Sequence, residues 1–218
     1  MIYSAKYKFI FLHNTRVAGT SIIEALTKVD PNVDSHEHMS SADTKEFLGD
    51  RIWNGSFKFA FVRNPYTWFM SGIHSSFSWE YPHEEYSFLI GDDKQIAIPI
   101  DGIVKTNHVV LRESLYQFFW QRWNKGGVKD DLFFDRHADQ TMWASDDLDY
   151  IGRFESLQSD FDHICDKIGI QRCVLPQANP SIWTARSNIK LEYSEAAKNL
   201  VGILYADDII NFGYGSKG

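Results

Sequence analysis

The chain has 218 residues, 44% hydrophobic and 23% charged, with a net charge of −7 at pH 7. That is enough for one globular domain with a real core, and the acidic balance argues against non-specific binding to nucleic acid or to an anionic membrane surface. No apolar run approaches the length of a membrane span, and Met1 to Tyr7 has no leader pattern, so no membrane partner and a cytoplasmic location are expected.

Phe9 to Leu12 is a short apolar run and reads as a buried strand. Polar residues and Gly19 follow, and then an apolar-periodic segment that predicts a first helix over residues 20–28, ended by Pro31. This strand–loop–helix unit carries Arg16 and Gly19 in its loop, with Thr20 and Ser21 where the first helical turn begins. Free N–H groups and the helix dipole at such a start favour a phosphate-like anion. Glycine lets the backbone approach it, and two hydroxyls and a guanidinium complete the shell. It is not the common nucleotide-triphosphate loop, because Asn14 stands at the first glycine and Thr20 at the lysine.

Residues 32–40 are polar and contain His36 and His38, which point the same way if the segment is extended. No third ligand motif accompanies the pair, so no metal is expected. Ser40 and Ser41 mark the cap of a short helix over 42–49, closed by Gly49. Residues 57–63 predict a second core strand ending in Arg63, and Pro65 opens a helix over 66–76. A cation thus stands at the end of a second strand, where α/β sheets bind ligands and where nucleotide triphosphatases place an acid for magnesium. Ser71 lies eight residues beyond Arg63.

Residues 77–103 are aromatic-rich and irregular, as expected of a loop or lid. Residues 104–123 predict a helix, with Leu111, Leu115 and Phe118 on one face. Residues 128–147 are rich in aspartate and read as a solvated acidic surface anchored by Leu132, Phe133 and Phe134. A third strand is predicted at 150–154, a helix at 156–168 and a last long helix at 193–204. Cys165 and Cys173 fit no metal spacing and read as buried free thiols.

The stretch His13-Asn-Thr-Arg-Val-Ala-Gly-Thr-Ser21 resembles the 5′-phosphosulfate loop of the sulfotransferases, in the carbohydrate and uronyl 2-O-sulfotransferase-like branch, written roughly His-Ile-Pro-Lys-Thr-Gly-Gly-Thr-Ser. The departures are Asn14, Thr15 for proline, Arg16 for lysine, Val17 and Ala18. Val62-Arg-Asn-Pro-Tyr66 with Ser71 is similar to the family's 3′-phosphate motif, and Ile151-Gly-Arg-Phe-Glu-Ser-Leu157 and the closing residues 205–214 are similar as well. The resemblance covers most of 8–71 and 150–214.

It implies an α/β three-layer sandwich with a central parallel sheet and a P-loop-like 5′-phosphosulfate loop, in one domain with a variable acceptor-side insertion at about 77–147. It implies a sulfuryl donor, 3′-phosphoadenosine-5′-phosphosulfate (PAPS), held by Arg16, Val17, Ala18, Gly19, Thr20, Ser21, Arg63, Ser71 and Arg186. The acceptor is a hydroxyl or amine on a carbohydrate or small molecule, with His38 as the base, His36 as its alternate, and His13 orienting the loop. A kinase-like phosphotransferase and a non-catalytic nucleotide-binding protein stand as alternatives.

Overall fold

Phe9-Ile-Phe-Leu12 and Phe57-Lys-Phe-Ala-Phe-Val62 form strands β2 (Phe9–Leu12) and β4 (Phe57–Val62), paired parallel with Phe9 opposite Phe57 and Phe11 opposite Phe59. Near-continuous apolar runs of this kind belong to strands buried on both faces. In the computed structural model, residues 1–36, 38–79, 108–111, 139–176, 190–193 and 195–215 are described. The chain divides into two compact units, Met1–Asn64 with Ala138–Asn179, and Pro65–His137 with Pro180–Gly218.

The first unit is built on a five-stranded sheet ordered β3-β1-β2-β4-β6, where β1 is Ile2–Ser4, β3 is Asp34–Ser35 and β6 is Tyr150–Arg153. Strands β2, β4 and β6 run parallel, as expected of an α/β sheet, whereas β1 pairs antiparallel with both β2 and β3. That antiparallel edge was not predicted, since strands of three and two residues leave no periodicity to read.

One sheet face is aromatic. Phe11 stacks on Phe59 with ring centroids 5.2 Å apart, and Phe9 tilts against Phe59 at 6.1 Å. Phe61 lies opposite Gly152 on β6, where any Cβ would strike the ring, so glycine there is a packing requirement. All four phenylalanines are at most 1% exposed, and burying each stabilises the fold by about 1.5–3 kcal/mol. On the other face, Lys58 sits at 7% exposure inside β4. Its ammonium is satisfied by Asp149 Oδ2 at 2.7 Å and by the Ser56 carbonyl at 2.9 Å, as a buried charge requires.

Among the described residues, this unit carries the helices α1 (Gly19–Val29), α2 (Ser41–Leu48), α3 (Asp50–Asn54) and α5 (Leu157–Ile168). Helix α1 closes at Asp30, whose carboxylate accepts from Ser4 Oγ at 2.5 Å and from the Asn32 N–H at 3.2 Å, fastening the helix end to β1. Ser40 caps α2 through the Asp43 N–H. Helix α3 was not anticipated.

In the second unit, Pro65 opens α4 (Pro65–Trp79), which starts one residue earlier and ends three residues later than the predicted 66–76. Trp68 and Phe69 are fully buried and pack on Tyr205, with centroids at 5.5 and 6.0 Å. Strands β5 (His108–Leu111) and β7 (Lys190–Tyr193) pair parallel, and helices α6 (Glu195–Leu204) and α7 (Ala206–Asn211) follow. The Tyr193 hydroxyl donates to the Tyr66 carbonyl at 2.7 Å.

Strand β5 overturns the helix predicted from residue 104. His108-Val-Val-Leu111 is a short run with two β-branched residues, which pairs as a strand although Leu111 also falls on a helical repeat. Residues 112–123, the 80–103 part of the proposed lid, and Leu132, Phe133 and Phe134 lie outside the described residues.

The acidic surface holds for Asp146 and Asp147, which are exposed, but Gln140, Trp143 and Ala144 in the same stretch are buried. Both cysteines are free; Cys165 is buried as expected, whereas Cys173 is exposed. Among the described residues no helix is long and apolar enough to cross a membrane.

Candidate active site at the carboxyl edge of the parallel strands

Because β2, β4 and β6 are parallel and in register, their carboxyl ends share one edge. That edge gathers the His13–Ala18 loop, Arg63–Asn64 and the turn at Phe154–Ser156. The loop is tightly wound. Arg16 (φ 57°) and Ala18 (φ 62°) both adopt the left-handed conformation, which costs an L-residue roughly 1–2 kcal/mol. Ala18 is the residue just before α1, and no side chain caps the helix. Its first-turn N–H groups at Gly19, Thr20 and Ser21 are the ones that helix geometry leaves without an intrahelical partner. Val17 is fully buried and anchors the loop, while Thr20 is exposed and Ser21 is 5% exposed.

Gly19 is required for a reason beyond turn geometry, since any Cβ there would occupy the space of the His13 imidazole. His13 therefore packs against the start of α1. Burial, and secondarily the neighbouring His38, hold its pKa down to about 3. The ring is neutral at physiological pH and adds no charge beside the loop.

This has a consequence for stability. A histidine whose folded pKa lies below its unfolded value near 6.5 contributes fully above pH 6.5. Its contribution falls progressively as pH drops towards 3. His13 alone is expected to cost about 2 kcal/mol of stability between pH 7 and pH 5. Urea denaturation at the two pH values, in the parent and in His13→Gln, checks this; the difference should shrink by about that amount in the variant.

His38 is exposed, its ring centroid 4.3 Å from that of His13, and its Nδ1 lies 2.9 Å from the His13 carbonyl oxygen. A carbonyl only accepts, so Nδ1 carries the proton. In the neutral ring the lone pair is then on Nε2. His36 is exposed too, but its ring faces Phe47 at 4.6 Å and its backbone is paired with Met1. The two histidines are thus differently held, His38 against the loop and His36 against α2. Among the described residues no three His, Cys, Asp or Glu side chains are arranged to hold a metal ion.

Arg16 is largely buried, and desolvation lowers its pKa from the ordinary arginine value. Arg63, at the end of β4, is half-buried. Its Nη1 donates to the Arg16 carbonyl at 3.4 Å, and its guanidinium lies 4.1 Å from the centre of the Phe154 ring. The structure therefore brings Arg16 to Ser21, Arg63, His13 and His38 to one edge. Ser71 is carried by α4 in the second unit, and Arg186 lies outside the described residues.

Sequence reasoning missed Gln140 and Asn14 among the side chains that hold this edge. Gln140, fully buried, accepts from the Arg63 N–H and donates to the Arg63 carbonyl, both at 2.8 Å. Asn14 Nδ2 reaches Gln140 Oε1 and the Phe61 carbonyl, each at 3.3 Å. Glu155 Oε1 accepts the Asn64 N–H at 2.7 Å, and Asp160 Oδ2 accepts the Arg153 N–H, also at 2.7 Å.

Fold and site together define an α/β protein whose distinctive part is a strand–loop–helix unit, with a second arginine drawn to its loop at the edge of the parallel strands. A family model described as the Sulfotransferase family matches residues 1–215. The chain belongs to that family and is a transferase of the sulfotransferase type. Searches of curated proteins and of solved structures found no match.

Proposed function

We propose that this protein transfers a sulfuryl group from PAPS to a hydroxyl or amine of a carbohydrate or small-molecule acceptor. The observation that carries the reading is the contact between Arg63 Nη1 and the Arg16 carbonyl. It draws a second cation, 47 residues away in sequence, onto the backbone of a loop that already carries a desolvated arginine and free helix N–H groups. Such a donor set suits a nucleotide with anionic groups at two places, and it offers an arginine where a magnesium-dependent phosphotransferase needs an acid.

In this reading the N–H groups of Gly19, Thr20 and Ser21, the two hydroxyls and the Arg16 guanidinium hold the 5′-phosphosulfate. Val17 and Ala18 shape the loop around it. Arg63 takes the 3′-phosphate, and the resemblance adds Ser71 and Arg186 to the donor-binding set. PAPS supplies an activated sulfuryl group, and transfer leaves adenosine 3′,5′-bisphosphate. The chain's own work is to place charge and move one proton. Arg16 cannot surrender its proton at ordinary pH, so it acts as a fixed hydrogen-bonding cation on the leaving phosphate. His38 Nε2, with Nδ1 tied to the His13 carbonyl, takes the acceptor proton, and neutral His13 supports the geometry.

The test is to offer the protein sulfur-labelled PAPS with pools of carbohydrate and small-molecule acceptors and to read products by mass. Labelled sulfated product supports the proposal. Transfer that instead needs ATP and magnesium makes the protein a phosphotransferase. Nucleotide binding without transfer to any pool makes it a binding protein.

A further inference from the structure

We propose that Gln140 is a positioning residue for Arg63, and that through Arg63 it sets the protein's discrimination for a nucleotide 3′-phosphate. This rests on the reading of Arg63 given above. Arg63 is the first residue past β4, beyond the ladder that holds Phe59 to Val62 against β6. Past that ladder its backbone groups need partners other than β6. The Gln140 amide contacts both of its backbone groups at 2.8 Å, accepting from its N–H and donating to its carbonyl, as a neighbouring strand would.

The same Oε1 also accepts from Asn14 Nδ2, which in turn donates to the Phe61 carbonyl. One side chain thus joins the end of β4 to the start of the loop after β2. Asn14 Oδ1 is fully buried with no partner among the described residues, so that side chain holds the loop through Nδ2 alone.

Gln140 comes from a short 3₁₀ turn, Gln140–Met142, kept in place by buried Trp143 and Ala144. It is 77 residues from Arg63 and 126 from Asn14. A polar side chain at zero exposure, with both its amide oxygen and nitrogen engaged, serves geometry that an apolar residue of equal volume cannot supply. The guanidinium that this backbone aims is the one reaching Arg16 and Phe154. A ligand group that must sit within a fraction of an ångström is held by side chains of this kind.

The experiment measures binding of adenosine 3′,5′-bisphosphate and of 5′-AMP by calorimetry, without magnesium, in the parent, Gln140→Met, Arg63→Ala and the double variant. Methionine keeps the volume and charge of the site while removing the amide. The bisphosphate preference should fall about tenfold in Gln140→Met, with 5′-AMP affinity within about twofold of the parent and no further fall in the double variant. An unchanged preference in Gln140→Met, an equal loss for both nucleotides, or additive losses in the double variant overturns the proposal.

If the parent itself shows no preference, the Arg63 reading fails separately, and amide exchange then decides the positioning role. Exchange at Arg63 should be at least about tenfold faster in Gln140→Met, with Phe59 unchanged, and an unchanged Arg63 rate overturns it. If the variant does not fold, the parent's Arg63 amide must be as protected as those of β4, and free exchange there refutes the clamp.

Discussion

Replacing His38 by alanine is expected to lower turnover by about 10²–10⁴-fold, the range for loss of a positioned general base. Donor binding should be nearly unchanged, because His38 is exposed and its contacts with the loop run through His13, to its ring and its carbonyl, rather than to Arg16 or the first turn of α1. The assignment depends on which nitrogen is available. With Nδ1 committed to a carbonyl oxygen, neutral His38 offers Nε2 as its only lone pair. His36 is the control, since its ring faces Phe47 rather than the loop. Steady-state kinetics with a saturating donor separates the two. Full activity in His38→Ala, with loss in His36→Ala, would move the base to His36.

Arg16→Ala should cost about 2–4 kcal/mol of transition-state stabilisation, by comparison with the loss of one oxyanion-type donor. The cost appears in kcat because charge builds on the leaving phosphate only as transfer proceeds. Desolvation already strains the Arg16 charge, and an anion in the loop offsets that strain. Arg16→Lys should keep much of the activity, since lysine occupies this position in the family pattern that the loop resembles. A folded but inactive lysine variant would contradict a purely electrostatic role.

Much of the fold was legible because buried parallel strands declare themselves. Phe9–Leu12, Phe57–Val62 and Tyr150–Arg153 lie within a residue of where the apolar runs put them, and the helices that follow the first two begin at Gly19 and Pro65. What failed was short or non-local. Strands Ile2–Ser4 and Asp34–Ser35 are too brief for any period, and the four residues His108–Leu111 fit a helical stripe as well as a strand.

At the site, Gly19 and Arg63 were visible because each ends or opens an element at a strand edge. Gln140 was not, because its role is defined by partners 77 and 126 residues away. Its neighbours Asp146 and Asp147 gave the stretch an acidic, solvated look. The one local signal was Trp143 and Ala144, an apolar pair inside that stretch, which the structure buries. The motif puts His13 beside the loop, but its burial against Gly19 and its depressed pKa are properties of packing that no motif encodes.

The claim that the Arg63 end of this edge reads a nucleotide 3′-phosphate is tested most directly by four calorimetric titrations without magnesium. These are parent and Arg63→Ala, each with adenosine 3′,5′-bisphosphate and with 5′-AMP. A charge-assisted hydrogen bond is worth about 1.5–3 kcal/mol, so the parent should bind the bisphosphate at least about tenfold more tightly. Arg63→Ala should lose most of that preference and keep its 5′-AMP affinity. Equal affinity of the parent for the two nucleotides, or tight ATP binding that requires magnesium, would contradict the account.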